Sequence, residues 1–286
     1  LTTPIESFEQ KLKRAYLAIQ GVKIPDMPKE IIELDHEMSA RYPNTQKMIQ
    51  IISSNTILAG EVLKIANAPI MRVKIPISSI AQAVSTLGTQ NLKNMVVAAA
   101  LKNIWGSEKG MREIIDNSVD VAYCAGELAH LVQGVTADEA YVCALFHNGG
   151  AILLANKKPE LYNEIFFQSH SLPLTSIEKE EVAFNSNHAI VGLLMAKKWH
   201  LSEHMIQAIY YHHIDKCSRI KDEKSRIMTG LIKVANGIVA ETSIGAYIGA
   251  EMTEYYKDGI DTLMLDVSQI KEVRMALQSY SNGFAN

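Results

Sequence analysis

The sequence predicts an all-α protein, a helical bundle throughout, on three observations. Apolar residues recur with helical spacing along nearly the whole chain of 286 residues. Clean alternating runs of β-branched residues, which would mark strands, are hard to find. Pro, Gly, Asn, Ser and Thr fall between the periodic segments, where helices start and stop.

The elements follow in order. Phe8, Leu12, Ala15 or Tyr16, and Ile19 trace a first helical face. The segment Lys23-Ile24-Pro25-Asp26-Met27-Pro28 reads as an extended lead-in, because each Pro pushes the preceding residue out of the helical region. A helix follows from about Lys29. Pro43-Asn44 and Ser53-Ser54-Asn55 punctuate, and a short helix through Leu58, Val62, Leu63 and Ala66 ends near Asn67-Ala68-Pro69. From Ser78 as N-cap, a helix through Ile80, Ala83, Val84 and Leu87 stops at Gly88. Thr89 caps a very apolar helix through Leu92, Val96, Val97 and Leu101.

Beyond Gly106 and Gly110 the helices lengthen, and Thr136 with Glu139, and Thr175 with Glu178, have the spacing of reciprocal caps. The stretches Ile227 to Val239 and Tyr247 to Leu277 read as further helices, broken at Asp258-Gly259. The expected division is therefore an amino-terminal helical lobe at 1–105, a second helical lobe at 106–240 and a carboxy-terminal helical extension at 241–286. The boundary near 106 leaves a shared core across it open.

Composition excludes several functions. The 28 basic and 31 acidic residues leave a net charge of −3, so no global excess of Lys and Arg favours a nucleic-acid backbone. No apolar stretch approaches the ~18–20 residues of a membrane-spanning helix, so no membrane association is expected. Cys124, Cys143 and Cys217 lack a Cys-x-x-Cys spacing, sit among apolar residues and suit a reducing compartment, so a cytoplasmic location is expected.

Several segments in fixed order carry a resemblance. They are Ile24-Pro25-Asp26-Met27-Pro28, Leu63-Lys64-Ile65-Ala66-Asn67-Ala68 and the run from Ile80 to Gly88. In the second half come Ala144 to Gly150, which contains His147-Asn148, then His188 with Val191-Gly192, Trp199-His200-Leu201-Ser202-Glu203, and His212-His213. Together they resemble the HDOD family, a bacterial signalling module related to the HD metal-dependent phosphohydrolases. The match runs from about Ile24 to about His213. The resemblance implies an amino-terminal helical lobe packed on a degenerate HD-like helical lobe, lying beside receiver, kinase or cyclic-dinucleotide domains or acting on them in trans.

Catalytic HD enzymes hold a divalent metal on imidazoles and carboxylates, lowering the pKa of a bound water. By the resemblance, Asn117 stands where the family's early metal-binding His would be, and His147-Asn148 stands for the His-Asp doublet. Asn236 stands for the late Asp. Only His147 of the four keeps its type, and an amide offers a dipole where a carboxylate offers a charge. No tightly bound catalytic metal and no cofactor are expected.

The resemblance also places His188, His212 and His213 where some relatives bind additional metal ions. Two readings stay open for them: core histidines with each ring nitrogen bonded to a carbonyl or amide, which takes precedence, or a ligand pocket. The cluster Asn117, His147, Asn148 and Asn236 likewise either saturates itself by hydrogen bonds or leaves a hollow for a small polar ligand. His200 and His204 are four apart, but Ser202 as N-cap leaves His200 outside the helix of His204.

The Ser78 to Leu101 stretch has the layout of a helix-turn-helix, with Gln90, Asn91, Lys93 and Asn94 facing bases. Only Lys93 and Lys102 are basic there, and Ala83 precedes Gly88 by five residues rather than four. The expected function is thus a non-catalytic signal-transduction or protein-interaction module with a protein partner. The alternatives are a metal-dependent phosphohydrolase acting on a nucleotide or cyclic dinucleotide and, last, a DNA-binding regulator. The contact surface is expected in the groove between the lobes or in the helices after His213. There Tyr247, Tyr255, Tyr256 and Tyr280 serve either as surface or as extra core.

Overall fold

The computed structural model describes residues 6–105, 111–243 and 248–283. Among the described residues there are helices and no strands. The first half runs α1 (Phe8–Ala18), α2 (Lys29–Met38), α3 (Thr45–Ser53), α4 (Thr56–Ala66), a 3-10 turn at Pro69–Met71, α5 (Ile80–Leu87) and α6 (Thr89–Trp105). The second runs α7 (Arg112–Ala129), α8 (Ala137–Phe146), α9 (Gly149–Lys157), α10 (Pro159–Ser169), α11 (Pro173–Phe184), α12 (His188–Lys198) and α13 (Glu203–Tyr211). A 3-10 turn at Cys217–Arg219 leads to α14 (Glu223–Ser243), α15 (Ala250–Leu263) and α16 (Val267–Gly283). No helix is long and apolar enough to cross a membrane among the described residues.

Local side-chain caps explain several helix starts. Ser7 and Gln10 cap α1 reciprocally, Asn44 and Asn55 accept the third amides of α3 and α4 at 3.1 Å, and Thr136 with Glu139 caps α8. The cap of α5 falls on Ser79, not Ser78. Ser79 accepts the Gln82 amide at 3.1 Å, while the Gln82 side chain takes the Ser78 amide at 2.9 Å, so two adjacent serines share the work.

Two expectations fail for one physical reason: a partner distant in sequence replaces the local one. The pair Thr175 and Glu178 does not open a helix, since α11 begins at Pro173. Glu251 of α15 instead accepts the amides of Leu174 (2.6 Å) and Thr175 (2.9 Å) and the Thr175 hydroxyl (2.7 Å). Asp258-Gly259 does not break the chain and lies within α15. The Asp258 carboxylate accepts from Lys233 (2.7 Å) and from the Cys217 amide (2.9 Å). Gly259 lets α14 pass, because a Cβ there would sit 2.9 Å from Val234.

One apolar core runs from Ala15 in α1 to Leu277 in α16, joining both halves. At its centre Trp105, Phe146 and Trp199 pack in a row, tilted and edge-to-face, with ring centroids 6.4 and 5.4 Å apart. Polar ties reinforce it: the Trp199 indole donates to the Pro25 carbonyl (3.1 Å), Lys198 reaches Ile24 and Asp26, and Arg14 binds Glu181 and Asn185. The extended Ile24-Pro25-Asp26 segment is thereby pinned to the end of α12.

The core takes up part of the DNA-reading face, while Gln90 stays exposed and Asn91 half-buried. Asn94 is buried on Asp138 at 2.7 Å, Lys93 is paired with Asp35, and every residue from Asn94 to Leu101 is buried. The tail is core as well: Tyr255 and Tyr256 are buried and Tyr280 stacks on Tyr123 with centroids 4.1 Å apart. Tyr255 and Tyr256 therefore do not form a contact surface, and Tyr247 lies outside the described residues. The three cysteines are free and buried, and burial pushes their thiols up, Cys217 to about 11.

Candidate functional site

The site forms where α8 breaks into α9. His147 ends α8 and Asn148 precedes α9, so the doublet sits on a corner between two helices. Gly150 makes the corner possible: a Cβ there would lie 2.1 Å from the His188 carbonyl and 2.5 Å from the Gly192 amide. The backbones of α9 and α12 touch at this point, which sets His188, the first residue of α12, beside His147. Asn117 enters from α7 and Asn236 from α14. The structure thus assembles Asn117, His147, Asn148, Asn236, His188 and His213 around one buried cavity of about 30 Å³, with His212 packed against it. That is room for about two waters, or an ion and a water.

The first corner is closed by amides. Asn148 donates to Asn117 at 3.2 Å, Asn117 donates on to His170 at 3.2 Å, and the Asn236 amide faces His147 Nε2 at 3.4 Å. His147 Nδ1 lies 2.5 Å from the Ala144 carbonyl, which can only accept, so Nδ1 carries the proton and Nε2 is a bare acceptor. Burial lowers the His147 pKa to about 4, so the ring is neutral at pH 7. With no carboxylate among these four residues, this corner does not fit the metal centre of HD enzymes.

The second corner is built differently. His188 Nδ1 lies 2.8 and 2.9 Å from the two oxygens of buried Glu180, which also accepts the His188 amide (2.7 Å) and the Tyr162 hydroxyl (2.8 Å). His212 Nδ1 donates to the Ile209 carbonyl at 2.6 Å. Both rings therefore turn an Nε2 inward, and His188 Nε2 stands 3.0 Å from the Nε2 of both His212 and His213. The expectation that these three are separately satisfied core histidines does not describe this arrangement, in which their ligand nitrogens lie within 4.8 Å of one another. Burial first, and neighbouring imidazoles second, hold His212 and His213 well below the ordinary histidine value.

Ring nitrogens that converge in this way suit a cation. Two imidazole nitrogens bonded to one divalent ion at about 2.0–2.1 Å stand about 2.9 Å apart at right angles and about 3.4 Å apart in a tetrahedron, and His188 meets both neighbours at 3.0 Å. Donation of the other ring nitrogen to a carboxylate or carbonyl is the usual second partner of such ligands. His188 and His212 meet both conditions, and His213 adds a third ring nitrogen within 4.8 Å.

Three contributors escaped the sequence reading. Glu180 belongs to no motif, His170 reaches Asn117 only through the loop after α10, and Tyr255 donates to the His212 carbonyl at 2.8 Å from a helix beyond the matched segments. His200 and His204 stay apart: His200 faces Asp35 at 4.0 Å, and His204 bonds Asp222 at 3.0 Å.

Comparison with known proteins agrees with this fold. A protein of Treponema pallidum (strain Nichols), described as uncharacterized, is 24% identical over 204 residues, covering 66% of this chain and 37% of its own length. The solved structure of an HDOD domain protein of unknown function from Geobacter sulfurreducens superposes with a TM-score of 0.68 at 20% identity, covering 95% of this chain and 98% of that one. A candidate phosphohydrolase from Shewanella amazonensis SB2B gives 0.66 at 20% identity, covering 93% of each chain. A candidate signal transduction protein from Marinobacter aquaeolei VT8 gives 0.68 at 18% identity, covering 98% of this chain and 65% of that one. The profile of the HDOD domain matches residues 24–214, well over half of the sequence, and the chain belongs to the HDOD family.

Proposed function

We propose that the protein is a non-catalytic signalling module of the HDOD type, acting in the cytoplasm through a protein partner. The observation that supports this is the amide corner. Asn117, Asn148 and Asn236 occupy three of the four positions where HD chemistry calls for imidazole or carboxylate, and their amides are engaged with one another and with His170 and His147. Loss of even one outer partner of a metal ligand costs about 10- to 100-fold in affinity or activity, and here three positions have lost the ligand itself. The test is hydrolysis of a phosphodiester reporter and of cyclic dinucleotides with added Mn, Fe or Mg. The reading expects no turnover above that of His147→Ala, and turnover that vanishes in that variant overturns it.

A second reading, a metal-dependent phosphohydrolase, has an observation of its own in the three converging Nε2 atoms. A divalent ion held there would acidify a bound water. Glu180 would orient His188, and the Ile209 carbonyl would orient His212. Under this reading, turnover disappears in His188→Ala.

A further inference from the structure

Away from the histidines, α1, α12, α13 and residues 219–222 enclose an open groove of about 700 Å³, within the usual range for small-ligand sites. The two faces of α13 separate the regions. Met205, Ala208 and Ile209 point into the core, while Glu203, Ile206, Gln207 and Tyr210, spaced by three and four residues, line the groove.

The charges of this groove are unevenly neutralised. Glu6 is bound by Arg14, Asp222 by Ser225 and His204, and Arg219 is paired with Asp215. Lys11, Lys197 and Lys221 line the same groove and make no ion pair among the described residues. Beside them stands an aromatic edge. Phe8 is 45% exposed, meets Tyr210 edge-to-face at 5.6 Å, and has the Lys197 ammonium 6.0 Å from its ring centre. Opposite in chemistry, Glu203 is paired only with the neutral Gln207 side chain at 3.3 Å.

We propose that this groove binds a nucleotide. The three lysines would hold its phosphates, the Phe8 and Tyr210 rings its base, and the Glu203–Gln207 pair the hydrogen-bonding edge of that base. The mixture selects the class. A bare polyanion would leave the rings unused and be repelled by Glu203, whereas a nucleotide carries several negative charges at one end and a planar ring with N–H donors at the other. This inference is independent of the proposed signalling function.

Titration calorimetry of the full chain at low salt with ATP and GTP tests it. At least one should bind one per chain, and the surface double variant Lys197→Glu/Lys221→Glu should weaken it by about tenfold or more. Phe8→Ala should weaken the nucleotide but leave inorganic tripolyphosphate unaffected. The proposal is overturned if neither nucleotide binds, or if the double variant binds unchanged. It is also overturned if tripolyphosphate or a hexaglutamate peptide binds as tightly as the nucleotide, or if Asn236→Ala abolishes binding and the lysine variant does not.

Discussion

At the corner shared by α7, the α8–α9 break and α14, side-chain amides donate to Asn117, to His170 and toward His147, whereas a few ångströms away three imidazoles face one another across 3.0 Å contacts. Both corners are buried and both hold neutral histidines. The difference lies in the group that meets each Nε2. At His147 it is an amide that donates, so the lone pair has a partner within the protein. At His188 it is two further imidazoles, at least one of which, His212, has its own Nδ1 proton committed elsewhere. The two corners therefore differ in chemistry: a donor meets the lone pair in one, and ring nitrogens converge on it in the other.

The largest expected effect removes the comparison altogether. Gly150→Ala sets a Cβ against the His188 carbonyl at 2.1 Å, backbone on backbone, and both corners depend on that approach. We expect a loss of about 4 kcal/mol or failure to fold, read by chemical denaturation. Next comes Glu180→Ala, which acts on the imidazole corner alone. It strands the His188 amide, His188 Nδ1 and the Tyr162 hydroxyl in the interior, for about 3 kcal/mol in the same measurement. His147→Ala acts on the amide corner and should cost about 1 to 3 kcal/mol. A cost near zero would mean that the corner is a solvated pocket and not a hydrogen-bonded plug.

The smallest effect sharpens the contrast through pH. His147 is depressed to about 4 in the folded chain from an ordinary 6.5, so between these values the unfolded chain binds the extra proton. Its stabilising contribution is whole above about pH 6.5, falls as pH drops through the window, and levels off below about 4. Replacing His147 by Gln should reduce the slope of stability against pH near pH 5 by about one proton, or about 1.4 kcal/mol per pH unit. An unchanged slope would show that His147 is protonated in the folded protein.

The legible parts of the fold were those whose partners are close in sequence. Thr136 and Glu139 stand three residues apart and cap α8 as their spacing indicates. Thr175 and Glu178 share that spacing, yet the carboxylate that serves α11 is Glu251, brought by α15 from far along the chain. Asp258-Gly259 has the composition of a turn, and only the arrival of Lys233 and the close passage of α14 make it helical. The site follows the same rule. Asn117, His147, Asn148 and Asn236 line one cavity, Glu180 and His170 have no local signal, and the convergence of Nε2 atoms needs the start of α12 beside the end of α13.

The two corners are expected to differ in metal binding, the amide corner taking no ion and the imidazole corner taking one. Native mass spectrometry of the full chain after loading with Zn or Mn counts the ions directly. The expected result is one ion per chain, released in His188→Asn and retained in Asn148→Ala. An ion that Asn148→Ala releases would contradict it.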